Sequence, residues 1–590
     1  MNTLKRLLPL VAPVAIVAGA GILSLILAAY WLDLGNADFR VPWSYSKDGV
    51  LHGMLAKGLL ENGTVFHNAN LGLPGGLVMH DFPKLYGLQF LGMRVLGWFS
   101  HDYAVVMNVY FLLTFPFATV TMVVATRRRG APWPCAYLGG LLFAFLAYHF
   151  VRGENHLLLA AYGLVPLVLL VTDWLLDSRP LLLDKNASRP VAVLARDGRT
   201  WASLAIVVAV ALSGVYYAAF TTVVLVIAAV YAGVRDHSWH KIAAGVVLVG
   251  FLTAAVLANG IPSYAYWRQH GRNPQVTNRT IGESETFGLK LSTLVLPATN
   301  HRVPAFAKAK EGFNRQSTLV NENDDASLGI LGSCGLVLLL VLVAWPRAVA
   351  GAWANLRGVG VMAAGIMLVG AVGGVGSLIS WAGLPEIRSY NRVSVFLALF
   401  ALTAVTGVLS LAWRRWVTSR GRAVAATVVL GALTWLALLD QIPARAAPEH
   451  AATRARYAND AAFVAHVESS IPAGGMVFEL PVVDFPESKI PRAGDSYAMG
   501  RPYLHARSSR WSFGAMPGRS DLRWQKDMAA RPPEDMVAAL KAAGFAGIFV
   551  ERKCCGYEGR SIEVALARAA GRDPIANADG DWVFFVLRPR

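Results

Sequence analysis

Long apolar runs alternate with polar connectors along the whole chain. Runs at 7–31, 103–125, 133–151, 157–176, 202–215, 217–234, 242–261, 327–345, 358–380, 391–413 and 423–440 read as eleven membrane spans. Crossing a hydrocarbon core of ~30 Å takes about 20 helical residues, which is the length scale of most of these runs. SGVYY at 213–217 divides the 202–234 stretch, as a break or a re-entrant turn. The first run follows Lys5 and Arg6, exceeds the apolar core of a signal peptide, and has no small-residue cleavage site before the polar stretch beyond it. It is therefore expected to be an uncleaved span.

The connectors fall into two kinds. Those at 127–129, 179–199, 235–241, 347–357 and 414–422 are short and basic. Those at 32–102, 152–156, 262–326 and 381–390, and everything from 441, carry mixed charge, and the turn near Gly214 carries none. The two kinds alternate without contradiction, which is the positive-inside pattern of a multi-pass membrane protein. It predicts a cytoplasmic N-terminus and an extracytoplasmic C-terminal region. From 441 the composition becomes that of a soluble domain. Alternation at 476–480 and 582–587, a helical pattern at 533–543 and a strand at 548–551 predict a small α/β unit. The expected architecture is an α-helical multi-pass domain over 1–440, with large outer loops 32–102 and 262–326, and an extracytoplasmic α/β domain over 441–590.

Composition agrees: 55% of residues are hydrophobic and 15% charged, against roughly a quarter charged in soluble chains. The net charge of +17 sits mainly in the basic connectors, so it reports topology and gives no reason to expect a nucleic-acid partner. Cys135 and Cys334 fall in spans, Cys554 and Cys555 are adjacent, and no CxxC or zinc spacing is present. All four read as structural. With no Ser-His-Asp order, P-loop or HExxH motif, hydrolase and nucleotide-driven pump readings lose support.

The loop 32–102 is the chain's first long polar interruption, some seventy residues rich in ionisable groups. A connector of that size is usually functional. It holds Asp38, Asp48 and Asp81, the histidines His52, His67 and His80, two stretches that read as amphipathic helices, and the turn NANLGLPGG at 68–76. A carboxylate such as Asp48 at a bilayer edge can act as a general base or hold a divalent metal, and it can equally cap the helix starting at Gly49. His80 with Asp81 is a second candidate pair for metal or proton relay, or a solvated loop pair. RGENH at 152–156 stands at a span boundary, where Arg152 and His156 either anchor the interface or meet a phosphate or sugar. In LPEIRSYNR at 384–392, Arg388 and Arg392 are four apart and would share one helical face, a guanidinium clamp for phosphate with lipid snorkelling as the alternative. Tyr216 and Tyr217 of the SGVYY break join His52 among the binding candidates. Aromatic and basic residues of 262–326, and the polar clusters at 501–511 and 514–519, are further material for a cavity and its cover.

Together these motifs resemble the GT-C superfamily of membrane glycosyltransferases, and within it a bacterial branch with a C-terminal extracytoplasmic domain. The match rests on Asp48 in a long first outer loop, NANLGLPGG, RGENH opening the fourth span, LPEIRSYNR before a late span, and FELP at 478–481. The resemblance implies a polyprenyl-phosphate-linked sugar entering from the bilayer and its inverting transfer to an envelope glycan, lipid or protein acceptor. The setting would be the outer face of a bacterial cytoplasmic (inner) membrane. It also implies Asp48 as base or metal ligand, Mg or Mn as the one cofactor in question, and Arg388 and Arg392 at the lipid phosphate. Many relatives carry the key acid in an Asp-Asp or Glu-Asp pair. Here Asp38 and Asp48 are ten apart, so either could be the catalytic one. The competing readings are a lipid-linked-sugar transporter or flippase, or a non-catalytic membrane partner in envelope polysaccharide assembly. Transport predicts polar residues through the depth of several spans, and these spans are nearly free of charge at mid-depth.

Overall fold

A computed structural model describes residues 2–183, 197–276, 278–345, 353–488, 495–553 and 560–588. Cys554, Cys555, Arg347 and the middle of the 179–199 connector lie outside the described residues. Among those described, eight helices are long and apolar enough to cross a membrane: Ala12–Trp31, Tyr103–Arg128, Trp133–Arg152, Glu154–Leu176, Val215–Arg235, Trp239–His270, Tyr390–Trp416 and Arg420–Gln441. The chain is thus built as a multi-pass membrane protein. Three other predicted spans appear as shorter apolar helices, Gly198–Ala211, Gly329–Ala344 and Leu356–Gly370. The apolar run 358–380 is not one helix. It breaks after Gly370 and resumes as Val375–Trp381, because Gly373 takes a φ of 68° and the chain turns there. The SGVYY stretch is likewise a true break, with Gly214 at a φ of 131° between two helices.

The basic connectors meet one another at one end of the helical bundle. Arg129 pairs with Asp173, Arg414 donates to the Gly130 carbonyl, and Arg199 and Lys241 both reach Asp177. The mixed-charge loops gather at the opposite end.

At the loop-rich end the segment 32–102 forms the helix Asp48–Asn62, a short hairpin of β1 (His67–Asn68) and β2 (Leu77–Val78), and the helix Gly87–Leu96. The helix Asp48–Asn62 is buried on most of its surface, not amphipathic. Beyond the last long apolar helix, the strands β3 (Met476–Leu480), β4 (Arg510–Trp511), β5 (Phe545–Glu551), β6 (Ile575–Ala576) and β7 (Trp582–Val586) form one sheet in the order β4-β3-β5-β7-β6. β3 runs parallel to β4 and β5, and β7 antiparallel to β5 and β6. Central β5 is buried at every residue, so it reads as a continuous apolar run. Gly547 within it is obligatory, because a Cβ there would lie 2.0 Å from the Phe584 ring on β7.

The first loop and this sheet are one packed body. Trp511 N donates to Asn70 O and Gly72 N to Phe513 O, both at 2.8 Å, so the NANLGLPGG turn extends the sheet edge. Leu73 joins the core formed by Phe478, Phe545 and Ile548. A second tie is Asp81, 5% exposed. Its carboxylate accepts from Arg519 at 2.7 and 2.8 Å, and from Trp267 Nε1 and Asn273 at 3.2 Å. Burial pushes this carboxyl up, but the hydrogen bonds and charge of Arg519, helped by Asn273 and Trp267, outweigh it and hold it below the usual carboxylate range.

Removing one partner of such a buried pair typically costs about 3–5 kcal/mol. Asp81→Asn is therefore expected to lower the unfolding temperature of the purified protein. Because the folded-state pKa is depressed, the difference from wild type should be full at neutral pH and shrink only on strong acidification.

Candidate active site

The approach to Asp48 is built by side chains from elsewhere in the fold. Asn108, buried in the helix Tyr103–Arg128, donates to the carbonyls of Phe39 and Val41 at 2.9 Å and accepts from Trp43 N at 3.2 Å. Glu154 accepts from Ser44 N at 2.9 Å, and Asn155 from Ser44 Oγ at 2.8 Å. The chain then turns at Lys47, whose φ of 50° and ψ of −135° are strained for a residue with a side chain. Gly49 follows so closely on Ser44 that a Cβ would lie 2.6 Å from its Oγ. The helix cap is Lys47, with no side-chain cap bond, so Asp48 does not serve as the N-cap. Its carboxylate is left for the cavity, with His156 Nε2 at 3.7 Å.

That cavity has a volume of about 600 Å³ and opens at the loop-rich end. Asp48, His52, His156, Tyr216, Arg388 and Arg392 all line it, so most of the residues singled out from the sequence converge on one place. The arginines do so differently from the expected clamp. Arg388 precedes the 3₁₀ turn Tyr390–Val393 and is not one helical turn from Arg392. Arg388 pairs with Glu283 and lies over the Phe287 ring. Arg392 lies 4.2 Å over the Tyr216 ring and 3.4 Å from Glu322. Arg152 stands outside the lining but reaches the same Glu322 at 3.0 Å. RGENH thus does three jobs: Arg152 holds Glu322, Glu154 and Asn155 hold Ser44, and His156 faces Asp48.

Other candidates fall elsewhere. Asp38 is exposed and accepts from Arg40 N at 2.9 Å. Asp81 is spent on the Arg519 tie. His80 is stacked between Phe66 and Tyr266 and bonded to Ser263 Oγ. Tyr217 is buried and donates to the Leu159 carbonyl. The polar clusters at 501–511 and 514–519 do not cover the cavity. Arg501 is buried against Asp460 and Glu551, and the C-terminal part of the lining comes from 486–488, Ser496 and Tyr497.

Arg279, among the basic residues of 262–326, also lines the cavity, while sequence reasoning missed Lys84, Glu322, Tyr86 and Tyr497 as lining residues. Lys84 lies 3.9 Å over the Phe82 ring and has no carboxylate at ion-pair distance among the described residues. Its position three residues after Asp81 was the available signal. Burial, aided by Arg392 and Arg279 and opposed by Asp48 and Glu487, brings its ammonium down to about 8. Burial also raises the Asp48 carboxyl above its ordinary value, with Lys84 and Arg392 opposing and Glu322 and Asp495 adding to the rise. For Glu322 burial pushes up, but Arg392 and Arg152 prevail and hold it at about 2. A divalent metal does not fit this donor set. Among the described residues no three His, Cys, Asp or Glu side chains gather as ligands, and Glu322 is already engaged by two guanidiniums.

Fold and site define a multi-pass helical membrane protein with a charged cavity at its loop-rich end, to which an α/β unit contributes part of the lining. No protein-family model matches the chain, and comparison with curated proteins finds no match. Among solved structures it is distantly similar to the oligosaccharyltransferase of Archaeoglobus fulgidus. The apo form gives 12% identity and a TM-score of 0.47, over 94% of this chain and 71% of that one. The complex with Zn and sulfate gives 11% and 0.45, over 94% and 70%.

Glu322→Gln removes the carboxylate that Arg152 and Arg392 share. The expected cost is about 3–5 kcal/mol, read as a lower unfolding temperature, with Glu322→Asp recovering part of the loss.

Proposed function

We propose that the cavity is the active site of a glycosyltransferase that moves a sugar from a polyprenyl-phosphate-linked donor to an acceptor hydroxyl at the outer face of a bacterial cytoplasmic membrane. The observation that carries this reading is the convergence of the Asp48 carboxylate with Lys84, Arg388 and Arg392 in one cavity at the end of an apolar bundle. Three of the five motifs that carry the GT-C resemblance fall on it: Asp48 supplies the acid, RGENH supplies His156, and LPEIRSYNR supplies both arginines. NANLGLPGG and FELP belong to the sheet edge and to β3 with the residue after it.

In the proposed step the acceptor hydroxyl lies against Asp48, which takes its proton as the oxygen attacks the anomeric carbon. The bond from that carbon to the phosphate oxygen breaks on the opposite face, so the configuration inverts. The electron pair leaves with the polyprenyl phosphate, whose oxygens are held by Arg392 and Lys84. Preorganised cations around a departing phosphate contribute several kcal/mol, about 3 for each well-placed donor. The eleven-span topology, with the N-terminus in the cytoplasm and residues 441–590 as an extracytoplasmic domain, belongs to the same proposal. It would put the cavity where lipid-linked donors present their sugars.

Asp48→Asn is expected to insert and fold but lose transfer at least about a hundredfold. This would be measured with purified protein and a polyprenyl-phosphate-sugar donor, and wild-type rates in that variant would overturn the assignment. The pH profile gives a second check. Asp48 must be ionised, and its raised pKa puts the acid limb above the ordinary carboxylate range. Lys84 must be protonated, so activity should fall again above its value of about 8. Lys84→Arg should abolish that alkaline limb and keep the acid one.

A further inference from the structure

At the end of the bundle where the basic connectors meet, away from Asp48, lies a second pocket of about 240 Å³. It is formed by residues 175–183, the end of the helix Val215–Arg235 and the start of the helix Trp239–His270. Arg179, Arg235, Lys241 and His240 line it with one carboxylate, Asp236, while Leu175, Leu181 and Leu183 give it an apolar wall.

The acids around this pocket are already engaged. Asp236 accepts from Arg235 Nε and Nη2, both at 2.7 Å, and from Lys241 Nζ. The same two cations also donate to backbone carbonyls, Arg235 to Leu176 and Lys241 to Asp177, each at 2.6 Å. The neighbouring carboxylates of Asp177 and Asp197 are held by Arg199 at 3.3 and 2.7 Å. Arg179 is the cation left over. It is exposed and has no carboxylate at ion-pair distance among the described residues. Two further donors of the lining are unspent. Ser238 precedes the helix Trp239–His270 without capping it through its side chain. His240 stacks on the Trp239 ring at 3.9 Å, with no hydrogen bond to its own ring among the described residues.

A phosphate accepts from several donors at once and also neutralises a guanidinium. A neutral ligand would leave the Arg179 charge unmet, and a cation would add to it. The setting points to a lipid as the bearer of that phosphate. Val234, Trp239 and Ile242, which flank the lining residues in sequence, are exposed apolar side chains, and so is Trp201 on the adjoining helix Gly198–Ala211. Exposed tryptophans at the ends of spanning helices mark the depth of the lipid head groups. Basic pockets between helices at that depth hold anionic head groups.

We propose that this pocket binds the phosphate of an anionic lipid head group, with Arg179 as its counter-charge and the leucine wall against the lipid's apolar part. The site lies at the opposite end of the bundle from the candidate active site and does not depend on what that site does. Soluble phosphates share the same chemistry, and the test separates the two sources. The full chain, purified in a non-ionic detergent, is titrated with phosphatidylglycerol and separately with phosphatidylcholine, and bound lipids are counted by native mass spectrometry. One phosphatidylglycerol should bind ahead of the rest, about tenfold more tightly than phosphatidylcholine. Arg179→Gln should weaken that first lipid about fivefold, the worth of one basic residue beside an anionic lipid. Its unfolding temperature should match that of the wild type, because Arg179 holds no ion pair that folding depends on. Arg420→Gln, which removes an exposed cation outside the lining, should leave the first lipid unchanged. Retention of the lipid against inorganic phosphate at equal concentration would support the membrane source, and its displacement would overturn that source in favour of a soluble phosphate. The proposal is also overturned if the two lipids bind alike, if neither phosphatidylglycerol nor inorganic phosphate binds, or if Arg179→Gln and Arg420→Gln weaken binding equally.

Discussion

One carboxylate between two guanidiniums holds the floor of this molecule together. Glu322 comes from the long 262–326 loop, Arg152 from the end of an early apolar helix, and Arg392 from the turn that opens a late one. The three meet at 3.0 and 3.4 Å. Buried cations need a counter-charge, and here one acid serves two of them. The arrangement therefore fixes three distant segments. Arg392 Nε remains without a hydrogen-bond partner. In a surround of low dielectric the charges here act on one another, and on anything bound among them, far more strongly than they would in water. Around them Arg388 pairs with Glu283 and Arg279 with Glu487, while Lys84 lies over the Phe82 ring.

Asp48 is set beside these cations by a scaffold it does not own. From the bundle side, Asn108, Glu154 and Asn155 hold residues 39–44. From the α/β side, Tyr45 donates to Asp460 at 2.9 Å and meets His505, while Arg501 joins Asp460 to Glu551. The strained Lys47 backbone lies between these two anchorages. Conformations of that kind persist only where the surroundings over-determine them. The α/β unit thus takes part in placing the acid as well as in lining the cavity.

Much of this was legible in the sequence, for reasons of periodicity and charge. Apolar run length marks the eight long helices, while three further runs form shorter ones. Asp48, His156, Arg388 and Arg392 were found because ionisable groups at span boundaries are costly without a purpose. What could not be read was which polar group is already satisfied. Asp81 looks as available as Asp48, but its partner Arg519 lies 438 residues away and no local pattern announces it. Tyr216 and Tyr217 are neighbours, yet one faces the cavity and the other the core, because a helix carries them to different sides. Lys84 and Glu322 were missed for the converse reason. Each looks like ordinary loop charge until the fold brings it beside Asp48 or Arg392. The Gly-rich break at 371–374 escaped because it interrupts an apolar run without changing its polarity.

The depth of the cavity bears on transfer against passage. Beneath its lining the bundle is filled. Phe220 packs on Tyr390 and Phe396, Tyr162 and Tyr217 bond to backbone carbonyls, and the first turns of the helix Ser394–Trp416 are buried on every side. A transporter needs polar partners along the whole route, since each unpaired polar group in hydrocarbon costs several kcal/mol, about 4–8 on an alkane reference. Here cations and acid stop at one end and aromatic packing begins. Under the proposed function, a lipid-linked donor would rest its phosphate among those cations with its chain in the bilayer and its sugar beside Asp48. That asymmetry favours chemistry at one face over movement across it.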